Sequence, residues 1–351
     1  MPHTSAVATN QPSLRPPQPE AFRSFSEGLR HFHKYQETDR GEELQAAEKA
    51  FAEAAEADPG FLIARFHHAV ALAHLREHDR AIEILQDLAR WNLPFQTEVL
   101  YNLSYAHFKK YDLPSLEKAE SLLKETEQLS EKNKKQFLLL LARSLRVLLY
   151  AVIGGREART PDNFEERKKK YLPEAAEIGE HLLQDRRISA LSSSEKNDVL
   201  LELYNGLGVA YMRLGENAQL LGKNQEEMWK KAEDSLRAAL QIQPTNTSVL
   251  QNLGTLRRLQ GDSFRKQGDT NKARLCYVES RDFYFKSLSI NGLDQFPHFS
   301  VSLISVRLAD WPTAEKYLAS SRSQKGSVRK ELFDKLAAAI DTKNPDVLPS
   351  E

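Results

Sequence analysis

Pairs of small residues set 12 positions apart recur along this chain, Ala69 with Ala81 and Ser302 with Ala314, each within a stretch whose apolar residues fall at three-and-four spacing. That spacing gathers side chains on one helical face. The pattern runs from Glu20 onward, broken by short Gly, Pro, Asn or Asp punctuation, as in AEKAFAEAAEADPGF and AIEILQDLARWNLPF. No window alternates with period two for long enough to make a strand. The chain is therefore predicted to be all-α and internally repeated.

The clearest unit joins YNGLGVAYMRLG (residues 204–215) to KAEDSLRAALQIQP (residues 231–244). An aromatic residue, a Leu-Gly pair and a Tyr stand on one helix, then Ala, Leu, Ala and a terminal Pro on the next. This set, Tyr204, Leu207, Gly208, Tyr211, Ala232, Leu236, Ala239 and Pro244, resembles the tetratricopeptide repeat. One departure is the 24-residue step from Gly208 to Ala232, where the family has about 12, so the first helix or its turn is extended through residues 217–225. The resemblance implies a right-handed α-α superhelix of about seven helix pairs with a C-terminal capping helix.

Other units repeat the theme. The second places Leu85, Leu88 and Pro94 after its Ala pair, and the third sets Leu103 and Ser104 ahead of Ala119 and Leu123. Asn252, Leu253 and Gly254 begin the sixth, and Leu318 follows the last pair. Of the first unit only the second helix is clear, through Ala47, Phe51, Ala54 and Pro59. A degenerate pair lies between the third and fifth: an apolar helix over residues 136–154, then a helix around residues 171–183. The expected divisions are a disordered tail (1–20), N-terminal repeats (21–130), the degenerate pair with its basic insertion (131–194), C-terminal repeats (195–326), a capping helix (327–342) and a short tail (343–351). A break in the superhelix at the central pair would leave two stacked arrays.

Residues 1–20 are rich in Pro, Ser, Thr and Gln and lack the apolar stretch of a secretory signal. The apolar segment 137–153 nears the length of a spanning helix, but Arg143 and Arg146 make a span costly, so burial between neighbours is expected. The expected location is cytoplasmic. One cysteine, Cys276, excludes an internal disulfide or a cysteine-based zinc site, and its apolar neighbours point to a buried, inert thiol.

No phosphate-loop motif, nucleophile elbow or His-Glu-x-x-His is present, so no catalytic activity, metal or cofactor is expected. His74 and His78, four apart, offer at most two ligands on one helix face. The bland alternative is a groove-facing His74 and a solvated His78, with His31, His33, His67 and His68 on helix surfaces. Lysines and arginines balance acids 49 to 49, yet residues 37–58 hold eight acids against two bases, and residues 132–170 eleven bases against four acids. The run Arg167, Lys168, Lys169 and Lys170 suggests either a solvated helix face or contact with nucleic acid or an anionic surface.

The family resemblance implies that the first helix of each pair lines a concave groove where extended partners lie. On matching positions this selects Phe66, His67 and His74, then Tyr101, Asn102, Tyr105 and Lys109. Later units contribute Asn205, Val209 and Arg213, then Asn252 and Arg258, then Phe299 and Arg307. The amides suit a peptide backbone, or else inter-repeat bonds, and the cations suit carboxylates. Glu98 and Glu202 temper that preference. Some relatives clamp a terminal carboxylate with a Lys and an Asn four residues apart. Here Phe66 with Val70, and Asn205 with Val209, stand at those positions and do not support a clamp.

The expected function is a non-catalytic scaffold that binds an extended, acidic peptide segment or partner protein in the groove. The alternative is binding of nucleic acid or an anionic surface through the central basic segment. Gly208→Leu is expected to overpack a helix contact, and Arg258→Glu to leave stability nearly unchanged.

Overall fold

The computed structural model describes residues 16–155, 164–324, 328 and 330–348. Helices α1 (Pro19–Thr38) and α2 (Gly41–Ala57) form the first pair, followed by α3 (Leu62–His74) with α4 (His78–Ala89) and α5 (Gln96–Lys110) with α6 (Leu113–Lys132). The central pair is α7 (Gln136–Gly155) and α8 (Phe164–Leu183). After the single turn α9 (Arg186–Ser189), α10 (Ser193–Glu216) and α12 (Gln225–Ile242) make the fifth pair, with the short α11 (Ala218–Leu221) in the extended turn. The array continues with α13 (Thr247–Lys266) and α14 (Thr270–Ile290), then α15 (Gln295–Arg307) and α16 (Trp311–Ser323), and ends on the capping helix α17 (Lys330–Asp341). Seven helix pairs and a cap are thus present, with no strand among the described residues.

Local chemistry sets the helix starts. Asp112, Asn224, Asn246, Asp269 and Asp310 each accept a hydrogen bond from a backbone N–H in the first turn of the helix they precede. Ser192 and Glu195 form a reciprocal capping box at the start of α10. Small residues set the pairing within units: Ala69, Ser104 and Ser302 are fully buried, as are Ala81, Ala119, Ala232 and Ala314. At Gly208 a Cβ would lie 2.5 Å from Cγ of Leu236, so only glycine lets α10 and α12 approach this closely.

The first pair is complete. Helix α1 carries Gly28 against the ring of Phe51, although its sequence shows little of the repeat pattern. The tail expected over residues 1–20 falls mostly outside the described residues, and α1 begins within it at Pro19. The charged stretch after the central loop is helical from Phe164, and residues 156–163 lie outside the description.

Among the described residues α7 is the one helix long and apolar enough to cross a membrane, and 78% of that stretch is buried. Its two arginines converge on one carboxylate, Glu127 of α6, at 3.4 Å from Arg143 and 3.2 Å from Arg146. Around α7 a single apolar cluster runs without interruption from Phe108 on α5 to Leu259 on α13.

The array also closes on itself. At the end of α1, Gln36 and Glu37 accept hydrogen bonds at their carbonyls from Gln243 and Thr245, which precede α13. Asp39 accepts from the backbone N–H of Thr247 at 3.0 Å and from its hydroxyl at 2.5 Å. Nearby, Arg76 pairs with Asp294 at 2.7 Å. The first two helix pairs therefore touch the last two, and the concave side becomes an interior.

Candidate binding groove

Side chains four apart on α5, Tyr101, Tyr105 and Lys109, face this interior in a row. His74 stands opposite, its ring 5.4 Å from that of Tyr105 and its Nδ1 3.4 Å from the hydroxyl of Tyr35. Burial, aided by Lys109 and His78, lowers the His74 pKa to about 4, so the ring is neutral near pH 7. His78 is lowered to about 4 in the same way, by burial and then by Lys109 and Arg76. The expectation of a solvated turn residue at His78 is thus corrected, and so is the alternative of a helix face shared with His74. α3 ends at His74, Arg76 turns the chain with a positive φ of 66°, and His78 opens α4 half-buried. Among the described residues no three potential metal ligands come together.

Lys109 lies over the ring of Tyr105 with its ammonium 5.1 Å from the centroid. Burial works against its charge, but Tyr105 and Glu202 outweigh burial and raise its pKa. Glu202 projects from α10, where burial pushes its carboxyl up and Lys109 only partly opposes the rise. The two charges sense each other without forming an ion pair. Tyr101, buried beside Glu202, is held protonated well above the ordinary phenol range.

The other half of the interior is built differently. Arg213 pairs with Glu216 at 2.7 Å, and Arg258 pairs with Asp262 at 2.9 Å. Asp262 also accepts from the Tyr277 hydroxyl at 2.7 Å and lies 3.6 Å from Nε of Arg307. Burial would raise the Glu216 carboxyl, but Arg213, joined by Arg258 and Lys168, holds it below its ordinary range. Here every charge has a counter-charge close by.

Several sequence-selected residues belong to the packing instead. Phe66 is 9% exposed and packs on Phe95, and Phe299 packs on Phe333 of the cap. The Arg307 side chain is 4% exposed and donates to the carbonyl of Pro345, so it ties the C-terminal segment to α15. Asn102 donates to the carbonyl of Glu98 in its own helix. Asn252 donates to the amide oxygen of Asn205 at 2.7 Å, which is the inter-repeat bond weighed from the sequence. His67, expected on the surface, lies between Phe25 and Phe51, and burial lowers its pKa to about 4. Cys276 is only half-buried. In the basic run, Lys168 donates to Asn217 at 2.5 Å, Lys169 pairs with Glu165, and Lys170 lies over the ring of Tyr171.

Tyr35 and Asp39 escaped sequence reasoning because the first helix lacks most of the repeat pattern. Glu216 and Asp262 were within reach, since they stand three and four residues after the arginines they neutralise.

No family model and no curated protein matches the sequence. Among solved structures, an IFIT1 monomeric mutant with m7Gppp-AAAA is 12% identical at TM-score 0.40, covering 93% of this chain and 75% of that one. Yeast Tom70 is 12% identical at TM-score 0.28, covering 92% and 72%, and the TPR2AB-domain:pHSP90 complex of yeast Sti1 is 12% identical at 0.26, covering 93% and 98%. Likeness at this level says nothing of what the chain binds. By its own packing it is an all-α array of helix pairs wound around a polar interior.

Proposed function

We propose that the protein is a non-catalytic binding scaffold whose concave interior takes an extended, acidic segment of a partner protein. The observation that carries this reading is the charge arrangement of the C-terminal half. Arg213, with Arg258 and Lys168, gathers on Glu216, and Arg258 and Arg307 gather on Asp262, so cationic donors stand grouped on this side of the interior. A carboxylate arriving there meets donors already fixed in place, which lowers the entropy lost on binding. The basic run on α8 is drawn into contacts within the chain, which favours the groove over that segment as the binding element.

Affinity capture from source-cell lysate at about 0.1 M and 0.5 M salt, with and without nuclease, tests the reading. A protein partner that survives nuclease and is depleted at least fivefold by Arg213→Gln is expected. Recovery of nucleic acid alone, lost in high salt and indifferent to that substitution, would overturn it.

A further inference from the structure

After the capping helix the chain returns to its own inner face. Lys343 turns it with a positive φ of 48°, and the backbone N–H of Asn344 donates to the carbonyl of Ala339. The Asn344 side chain then accepts from the backbone N–H of Asp346, and residues 345–347 form a single 3₁₀ turn. Three anchors hold this segment. The carbonyl of Pro345 accepts from Arg307 at 2.9 Å, and the carboxylate of Asp346 pairs with Arg265. Leu348, 5% exposed, lies in the apolar cluster of Phe299, Phe333 and Leu336. Arg258, Asp262 and Arg265 follow at four-and-three spacing on one face of α13, and Asp262 lies 3.6 Å from Nε of Arg307. The segment thus rests beside two residues selected for the groove, Arg258 and Arg307. It brings there a main-chain carbonyl, a carboxylate and an apolar side chain, the groups that an acidic peptide would offer.

We infer that the inner ends of α13 and α15 form a peptide site that the chain fills with its own residues 344–348. A partner segment bearing proline, then an acid, then an apolar residue two positions on enters by displacing them. This rests on the scaffold reading above and names the segment taken. The anchors suit exchange. The Asp346 side chain is 73% exposed and that of Arg265 33%, and an ion pair so open to water contributes little. The short connection to α17, by contrast, keeps the segment at the site with an effective concentration of about millimolar. A lone short peptide is therefore outcompeted, whereas a longer partner with further contacts along the groove is not.

The test uses the full chain and a fluorescein-labelled peptide of residues 342–348, Thr-Lys-Asn-Pro-Asp-Val-Leu, with binding read by fluorescence anisotropy at low salt. Asp346→Lys with Leu348→Ser removes two anchors from the chain and is expected to raise peptide affinity roughly tenfold or more over the parent. Adding Arg265→Glu should then lower it about fivefold, and a peptide with lysine in place of its aspartate should regain the loss. Hydrogen exchange supplies a second readout. Amides of residues 344–348 should exchange faster in the doubly substituted chain, while those of α13 and α15 keep the parent's rates. If α13 and α15 lose protection as well, Asp346→Lys alone, which leaves the apolar cluster intact, carries the comparison, with a gain of about threefold expected. No gain in peptide affinity over the parent would overturn this inference, make the segment only a tie for the cap, and leave the scaffold reading standing. Capture of nucleic acid alone in the lysate experiment, with peptide binding intact, would overturn the scaffold reading and not this site.

Discussion

The two halves of the interior are made by the same helix-pair architecture and handle charge in opposite ways. Around Arg213 and Arg258 each cation has a carboxylate one turn along its own helix, and Asp262 is further satisfied by a buried tyrosine. Around Lys109 and Glu202 the charges are kept apart, and burial appears as displaced titrations of His74, His78 and Glu202. The lesson is that partnered charges contribute to stability and set a field, whereas unpartnered ones hold binding potential at the expense of stability.

The sharpest way to break this comparison is charge reversal in the partnered half. Arg258→Glu sets a carboxylate beside the buried Asp262, with a loss of about 3–5 kcal/mol expected in urea unfolding. This replaces the expectation, drawn from sequence, of little effect. A second, smaller effect is pH-dependent. His67, His74 and His78 have folded pKa values of about 4 against an ordinary 6.5. Between those values the unfolded chain binds more protons, so stability falls as pH drops through the window, by at most roughly 3 kcal/mol per ring. The raised carboxyls of Asp39, Asp198 and Glu202 act oppositely and offset part of this. Denaturation series from pH 7 to 4 should show the decline, and His74→Gln should flatten it. A slope unchanged in that variant would place the titration elsewhere.

Thr247→Val removes the hydroxyl that Asp39 accepts from and should cost roughly 1–2 kcal/mol, read as an earlier urea midpoint. The smallest effect belongs to Lys109→Gln, which breaks no ion pair but removes the ammonium from the Tyr105 ring and should cost about 1 kcal/mol in urea unfolding. A loss there as large as that of Arg258→Glu would erase the distinction between the halves.

What was legible in the sequence was local. Ala69 with Ala81, and Leu207-Gly208 facing Leu236, report helix approach within one unit, and the structure uses them so. The row Tyr101, Tyr105 and Lys109 follows from helical spacing alone. The repeat pattern of α1 was faint because its buried face holds only Ala21, Phe25 and Gly28, too few positions to set a register. Contacts such as Asp39 with Thr247 join residues 208 positions apart through turns, and no periodicity records them. Arg307 was misplaced because its face was inferred correctly, while the segment that covers it, around Pro345, lies beyond the repeats.

The closure between the first and the later helix pairs has a kinetic consequence. An open solenoid admits a partner along its whole edge, and its repeats respond mainly to their neighbours. In a closed array an extended occupant enters by its end or waits for the Asp39 and Arg76 contacts to separate. Capture then proceeds at the frequency of opening, and escape is slowed by the same step. Complexes of ordinary affinity would accordingly have long residence times, and Thr247→Val would accelerate association and dissociation together while leaving their ratio nearly unchanged.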